Sequence, residues 1–241
     1  IEKCLIPEMR WVEISQANKK EIIKRMKEIF RVAIDGPSGA GKSTIAKAVA
    51  KQLGIDYIDT GAMYRSVGYK MMCSGIPASD EAAVKAMLAD TDIDFRDGVI
   101  FLDGRKVNDV IRTSEVAKMA SECSVLPDVR AKLVDLQRQM GSRKSVIMDG
   151  RDIGTNVLKD AEYKFFLTAS AEERAERRYK ELAEKGEKIS FDEVLRDIKQ
   201  RDHNDMTRKL NPLRKAEDAV EVDTTGLSIE EVINKVVIQI R

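Results

Sequence analysis

The chain has 241 residues, 43% hydrophobic and 34% charged, which is enough for one core with inserted subdomains rather than two independent domains. Its 42 Lys and Arg residues nearly balance its 41 Asp and Glu residues, so it lacks the global basic field typical of nucleic-acid binders. Three cysteines without metal-ligand spacing predict reduced thiols, and no apolar run reaches the ~18 residues of a membrane span. We therefore expect a cytoplasmic protein that binds neither nucleic acid nor membrane.

Residues 1–29 form an N-terminal extension without recognisable chemistry. Ser15 could cap a short amphipathic helix that runs to Phe30, with lysines on its other face. An expression remnant, an upstream extension and a docking helix all remain open as its role. The main domain is expected to span residues 30–241 and to be a monomer.

From Arg31 onward, strands alternate with helices, which predicts an α/β fold with a parallel sheet flanked by helices. The predicted strands lie at 32–34, 55–58, 145–148, 163–168 and 219–222, and the predicted helices at 43–53, 61–73 and 228–240.

Two stretches depart from this alternation. Short strand candidates at 93–95, 99–102 and 106–107, separated by Asp-Gly turns, predict a small antiparallel insert within about 76–125. The segment at about 170–190 is almost entirely Glu, Arg and Lys around a glycine, so it should bury little apolar surface and form a mobile helical lid.

A glycine-rich segment after the first strand matches a phosphate-binding pattern. Its residues are Gly36, Pro37, Ser38, Gly39, Ala40, Gly41, Lys42 and Ser43, followed by Thr44. Glycines allow successive backbone N–H groups to converge on one anion, and the following helix adds its positive end. Lys42 is predicted to reach the β- and γ-phosphates of ATP or GTP, and the Ser43 hydroxyl to ligate Mg²⁺. This motif predicts the core of a P-loop NTPase.

Arginines in helical register favour a kinase over a switch or a binding module. A GTPase would need a guanine-reading Asn-Lys-x-Asp segment, which is missing. Two clusters fall on single helix faces: Arg174, Arg177 and Arg178, and Arg201, Asp205 and Arg208. Spacing alone also allows surface ion pairs, Glu173 with Arg177 and Arg201 with Asp205. Phosphoryl transfer depends on positive charge around the moving phosphate, which favours a kinase.

Four further motifs resemble those of bacterial cytidylate kinases. They are Asp59-Thr-Gly-Ala-Met-Tyr-Arg65, Ile111-Arg-Thr113, Asp149-Gly-Arg-Asp-Ile-Gly-Thr155 and Ile198-Lys-Gln-Arg-Asp202. The resemblance runs in order from Arg31 to the C-terminus. It implies transfer of a phosphoryl group from Mg²⁺-bound ATP to CMP or dCMP, with the insert serving the nucleoside monophosphate.

The same resemblance implies roles for individual residues. Catalysis is expected from Lys42, Arg151, Arg174 and Arg178. Thr60, Tyr64 and Arg65 are expected at the monophosphate site, with Arg65 and Arg151 on the phosphate of CMP. Ser121, Arg130 and Asp152 are expected at cytosine. Asp205 is expected at the ribose hydroxyls, with Arg201 and Arg208 beside the ribose and phosphate. A carboxylate at Asp152 would accept a hydrogen bond from the 4-amino group of cytosine and repel the 4-carbonyl of uracil.

Some assignments stay open at this level. Asp149 ends an apolar strand and could hold Mg²⁺ through water, or could cap the following turn. His203, the only histidine, is expected on a helix surface rather than as a base. Guanylate kinases share the glycine-rich loop, although no Thr-Arg-x-Pro-Arg guanine site follows it here. A non-catalytic nucleotide-sensing module is the alternative of another class.

Overall fold

A five-stranded parallel sheet forms the centre of the molecule, which the computed structural model describes for residues 29–96, 98–184 and 186–240. The predicted N-terminal helix lies outside the described residues. In chain order the elements are β1 (Arg31–Asp35), α1 (Lys42–Leu53), β2 (Asp56–Asp59), α2 (Thr60–Cys73), α3 (Glu81–Ala89), β3 (Ile93–Arg96), β4 (Val99–Leu102), β5 (Arg105–Lys106), α4 (Ser114–Cys123), α5 (Pro127–Arg143), β6 (Val146–Gly150), β7 (Tyr163–Thr168), α6 (Ala171–Glu184), α7 (Phe191–Thr207), β8 (Val220–Asp223) and α8 (Ile229–Ile240).

The α/β prediction is confirmed, since the sheet has the order β2-β6-β1-β7-β8 with every pairing parallel. The two central strands are covered by helices on both faces, which explains their continuous apolar runs. Each contributes three fully buried residues: Val32, Ala33 and Ile34 in β1, and Val146, Ile147 and Met148 in β6.

The register of the sheet brings acidic residues together at the carboxyl ends of its strands. Asp149 in β6 stands opposite Ile34 of β1 on one side and Asp59 of β2 on the other. Asp35 follows Ile34 and leads directly into the glycine-rich loop. In open α/β sheets ligands bind at this edge, so the fold places a candidate site here.

The predicted antiparallel insert is present as β3-β4-β5, with its last strand one residue earlier than expected. Helices α3, α4 and α5 were not predicted. The insert packs on the main domain through α2, where a Cβ atom on Gly68 would lie 2.9 Å from the backbone nitrogen of Ala120. This close approach of α2 and α4 makes the insert part of the hydrophobic core that also contains β6.

Helices α6 and α7 pack against each other over a small apolar cluster. Its buried members are Ala175, Leu182, Val194 and Ile198. Besides this cluster, the pair is held by a buried ion pair between Arg174 and Asp202, with 2.7 Å between the guanidinium nitrogen and carboxylate oxygen. The segment predicted as a lid therefore has a second helix beside it. No helix among the described residues is both long and apolar enough to cross a membrane.

Candidate active site

The glycine-rich loop has positive φ angles, which favour glycine, at Gly36, Gly39 and Gly41. Gly36 has φ of 148°, and a Cβ atom there would lie 2.0 Å from the Leu167 carbonyl oxygen. Gly41 has φ of 80° and immediately precedes α1, without a side chain to cap the helix. The first N–H groups of α1 are therefore left to bind an anion, as the sequence predicted.

Lys42 lies at the start of α1 with its ammonium group turned into the loop. The side chain is buried, and its Nζ donates a hydrogen bond of 2.7 Å to the Pro37 carbonyl oxygen. Burial, with the nearby positive charge of Arg151, lowers the pKa of Lys42 to about 7. A bound phosphate would supply the negative charge that this site lacks for a fully protonated lysine.

Two hydroxyl side chains donate to the carboxylate of Asp149. One carboxylate oxygen accepts a hydrogen bond of 2.8 Å from the Ser43 hydroxyl, and the other accepts one of 2.8 Å from the Tyr57 hydroxyl. Burial, with the charge of Asp59, raises the pKa of Asp149. The carboxylate thus accepts from Ser43, the predicted Mg²⁺ ligand, and its own role in holding Mg²⁺ stays a prediction. Tyr57 was not predicted.

This oxygen-rich corner fits Mg²⁺. The ion prefers hard oxygen ligands and is usually held by one or two protein groups together with water and substrate phosphates. Ser43 and Asp149 supply a hydroxyl and a carboxylate beside the loop. Among the described residues, no group of three or more His, Cys, Asp or Glu side chains could hold a metal by themselves. One hydroxyl and one carboxylate beside an anion-binding loop suit an ion that arrives with a nucleotide.

A cavity of about 660 Å³ opens beside the glycine-rich loop and continues to the insert. The predicted residues that line it are Ser38, Gly39, Ala40, Gly41, Lys42, Ser43, Thr44, Thr60, Tyr64, Arg65, Ser121, Asp149, Arg151, Asp152, Arg201, Asp205 and Arg208. The fold thus brings the glycine-rich loop and most of the predicted CMP site into one cavity.

Asp152 is the centre of a buried polar cluster at the insert end of the cavity. One of its oxygens accepts from Arg130 and from the Asn156 side-chain amide, the latter at 3.0 Å. The other accepts from Arg208 at 3.0 Å. Tyr64 lies against this cluster, with its ring centroid 6.0 Å from the Arg130 guanidinium carbon. Arg130, Asp152 and Arg208, three of the six residues predicted at cytosine and ribose, are therefore joined in one cluster.

Arg151 pairs with Asp205 at 2.7 Å, which corrects the Arg201–Asp205 pair that spacing allowed. Burial raises the pKa of Asp205, but the surrounding arginines, Arg151 first, outweigh burial and hold it below its usual value. Burial and the charge of Arg151 lower the pKa of Arg201 to about 10. The repulsion between Arg151 and Arg201 would be relieved by an anion bound beside them.

Near the acceptor end, Arg65 is fixed by Asp59. The guanidinium nitrogen lies 3.0 Å from the carboxylate, whose other oxygen caps α2 by accepting from the Ala62 N–H. Thr60 donates a hydrogen bond of 2.6 Å to the Asp149 carbonyl oxygen. Asp59 therefore sets the direction of Arg65, and Thr60 ties the start of α2 to β6.

The arginines of α6 do not share one environment. Arg174 is buried and donates to the Ser38 carbonyl oxygen at 2.9 Å, besides its pair with Asp202. Arg177 lines the cavity and forms the ion pair with Glu173 that spacing alone allowed. Arg178 is half-exposed and pairs with Glu181. Arg174 thus supports the glycine-rich loop from behind, and catalytic roles for Arg174 and Arg178 stay predictions.

Asp35 is a site residue that sequence reasoning missed. Its two carboxylate oxygens accept hydrogen bonds of 2.8 Å each from the N–H groups of Ile153 and Gly154. Burial raises its pKa to about 6. Since Asp35 directly precedes the glycine-rich loop, it ties that loop to the segment that carries Arg151 and Asp152. Its position at the end of the apolar run of β1 is the sequence feature that could have indicated its role.

A second group, in which only Arg177 was singled out from the sequence, forms the wall at the far side of the glycine-rich loop. Its members are Arg177, Thr224, Leu227, Ile229 and Val232. Arg177 is held there by the Thr224 carbonyl oxygen at 2.9 Å. A planar guanidinium beside apolar side chains can accommodate the flat face of a base.

Known proteins resemble this chain over almost all of the described range. The sequence profile of a family described as cytidylate kinase matches residues 32–241. A "Cytidylate kinase" from Clostridioides difficile (strain 630) is 53% identical over 209 residues, which cover 87% of this chain and 97% of that protein. A "Cytidylate kinase" from Caldicellulosiruptor bescii is 53% identical over 215 residues, which cover 88% of this chain and 95% of that protein. Among solved structures, an uncharacterized protein from Eubacterium ventriosum has a TM-score of 0.51 at 13% identity, covering 88% of this chain and 98% of that one; this likeness concerns the fold alone.

Proposed function

The chain belongs to the cytidylate kinase family, and on this premise we propose that it transfers the γ-phosphoryl group of ATP to CMP or dCMP. The products are ADP and CDP or dCDP. The observation that carries the proposal is the single cavity in which the glycine-rich loop faces the buried cluster around Asp152. One end binds a triphosphate, and the other presents a carboxylate held by arginines.

The donor end has the parts that a Mg²⁺-bound triphosphate needs. The N–H groups at the start of α1 and the Lys42 ammonium bind the phosphates. Ser43 and Asp149 hold the ion, which, when bound, neutralises triphosphate charge that would repel the attacking phosphate. The wall that contains Arg177 and Leu227 takes the adenine ring.

The acceptor end has positive charge where the phosphate of CMP must lie. Arg65, Arg151 and Arg201 line that part of the cavity, and Asp59 and Asp205 hold the first two in place. Their role is to position the acceptor phosphate and to stabilise charge during transfer.

Hydrogen-bond capacity supports cytosine as the base. A carboxylate has about four acceptor positions. At Asp152, three of them are used by Arg130, Arg208 and Asn156. About one acceptor position is left, which suits the 4-amino group of cytosine. The 4-carbonyl of uracil would meet the same oxygen unfavourably.

An acceptor panel tests the proposal. ADP release is measured with ATP and Mg²⁺ in the presence of CMP, dCMP, UMP, GMP or AMP in turn. We expect strong stimulation by CMP and dCMP and weak stimulation by UMP. Stimulation by GMP instead would indicate a guanylate kinase, and tight ATP binding without stimulation by any acceptor would indicate a nucleotide-sensing module. Either result contradicts the proposal.

A further inference from the structure

Gln137 is a buried carboxamide with an unused donor on the wall of the nucleotide cavity. Its side chain is 1% exposed and lines the cavity. Its Nε2 atom has no hydrogen-bond partner within the part of the chain that the structure describes. No role was assigned to Gln137 by the motifs.

An unpaired buried amide is costly, because the group gives up its hydrogen bonds to water without replacing them. Folded proteins pair the large majority of such groups, and the exceptions call for an explanation. An apolar residue of similar length, such as methionine, would fill the same volume without that cost. A ligand that pairs with the amide in the bound state would explain why glutamine stands there.

The position of Gln137 in α5 indicates which part of the ligand it meets. Arg130, two turns earlier on the same helix face, contacts Asp152. Gly141, one turn later, lies against Met148 and Leu158. Gln137 lies between these two contacts and thus beside the junction of β6 with the loop that carries Asp152. That junction is at the insert end of the cavity, where the base of CMP is proposed to bind.

The chemistry at this end calls for a further donor. Cytosine presents one donor, its 4-amino group, and two acceptors, N3 and O2. The remaining acceptor position of Asp152 suits the 4-amino group. The unpaired Nε2 amide of Gln137 suits N3 or O2.

We propose that Gln137 Nε2 donates a hydrogen bond to an acceptor atom on the N3/O2 edge of the cytosine ring and so helps to select the acceptor nucleotide. This inference rests on the proposed function. It makes Gln137 a substrate-binding residue of α5 in addition to Arg130.

The test replaces the amide without creating a cavity. Gln137→Met keeps the length of the side chain and removes the donor. Gln139→Met is the matched control, because Gln139 is exposed on the same helix and its side-chain amide donates to Asp135 one turn earlier, away from the cavity. The KM values for CMP and ATP, kcat, and the melting temperature with and without CMP are measured for both variants and for the wild type.

We expect Gln137→Met to raise the KM for CMP about 3- to 10-fold, the size of one lost neutral hydrogen bond. The KM for ATP should stay the same, and CMP should raise the melting temperature less than in the wild type. The melting temperature without ligand should be unchanged or higher, since no unpaired amide is buried any more. Gln139→Met should leave the kinetic constants unchanged.

The opposite pattern contradicts the inference. A purely structural Gln137 would give a lower melting temperature without ligand and an unchanged KM for CMP in the molecules that remain folded. If the wild type phosphorylates CMP and Gln137→Met has the same KM for CMP as the wild type, the inference about Gln137 is wrong and the proposed function stands. A wild type that does not use CMP overturns the proposed function, and the inference with it.

Discussion

Replacing Asp152 by asparagine separates two consequences of one side chain. In the folded protein, Asp152 is the counter-charge for Arg130 and Arg208, and all three side chains are almost fully buried. In the proposed complex with CMP, it is also the acceptor for the 4-amino group. The substitution keeps the shape, removes the charge and turns one acceptor into a donor. It should therefore reduce both stability and base selectivity.

The size of the stability effect follows from the contacts. Removing one partner of a buried ion pair costs roughly 3–5 kcal/mol, because the other charge stays buried without compensation. Two guanidinium groups lose their partner here, but Asp205 lies 3.9 Å from Arg208 and compensates part of the loss. Asparagine also keeps one acceptor oxygen. We expect a loss near the lower limit, about 3 kcal/mol in the free energy of unfolding.

The same substitution should also lower the preference for CMP over UMP. A hydrogen bond to a charged group is worth about 1.5–3 kcal/mol, which corresponds to a factor of roughly 10 to 100. The ratio of kcat/KM for CMP to that for UMP should fall by this factor in Asp152→Asn. This ratio does not depend on the folded fraction, so loss of stability alone cannot change it.

Urea denaturation and the two kcat/KM values are measured side by side. Asp160→Asn is a suitable control, because it breaks an exposed ion pair with Arg31 and should change stability little. An unchanged CMP to UMP ratio in Asp152→Asn would show that Asp152 does not read the base. An unchanged free energy of unfolding would show that the buried arginine cluster does not depend on it.

Three further predictions follow from other contacts. Tyr57→Phe removes a hydroxyl that orients Asp149, so half-maximal activity should need about 3- to 10-fold more Mg²⁺. A Mg²⁺ titration of activity measures this, and the circular dichroism spectrum should stay unchanged. Asp35 has its pKa raised from 3.8 to about 6, so the folded state binds a proton that the unfolded state has released between about pH 4 and 6; stability from this residue thus increases as the pH falls. The free energy of unfolding of the wild type, relative to Asp35→Asn, should rise by about 2 kcal/mol from pH 7 to pH 4 in urea titrations, and a flat difference would contradict this. Gly68→Ala forces a Cβ to within 2.9 Å of the Ala120 nitrogen, which should lower stability by about 1–3 kcal/mol and the melting temperature with it.

The central sheet and the glycine-rich loop could be predicted because their signals are local. A buried parallel strand is a short apolar run, and the conformation of the loop depends on glycines within eight residues. All five predicted strands of the sheet are present, and α1 begins one residue earlier than expected. The insert was recognised from its turns, but α3, α4 and α5 were not predicted. The start of α5 did carry a signal, a proline in its first turn.

The partners of the site residues could not be predicted in the same way, because they depend on tertiary structure. Ser43 and Asp149 are 106 positions apart and meet only through the register of the sheet. Spacing on α7 favoured Arg201 as the partner of Asp205, whereas the structure brings Arg151 to it from another segment. The unused amide of Gln137 is likewise visible only when its surroundings are known.

The most direct test of the central claim follows the phosphoryl group itself. ATP labelled at the γ-phosphate is incubated with the protein, Mg²⁺ and CMP, and the labelled products are separated and identified. We predict that the label moves to CDP, with one ADP formed for each CDP, and that little inorganic phosphate is released. Label found in inorganic phosphate rather than in CDP, or no transfer at all, would contradict the assignment of this cavity to phosphoryl transfer between ATP and CMP.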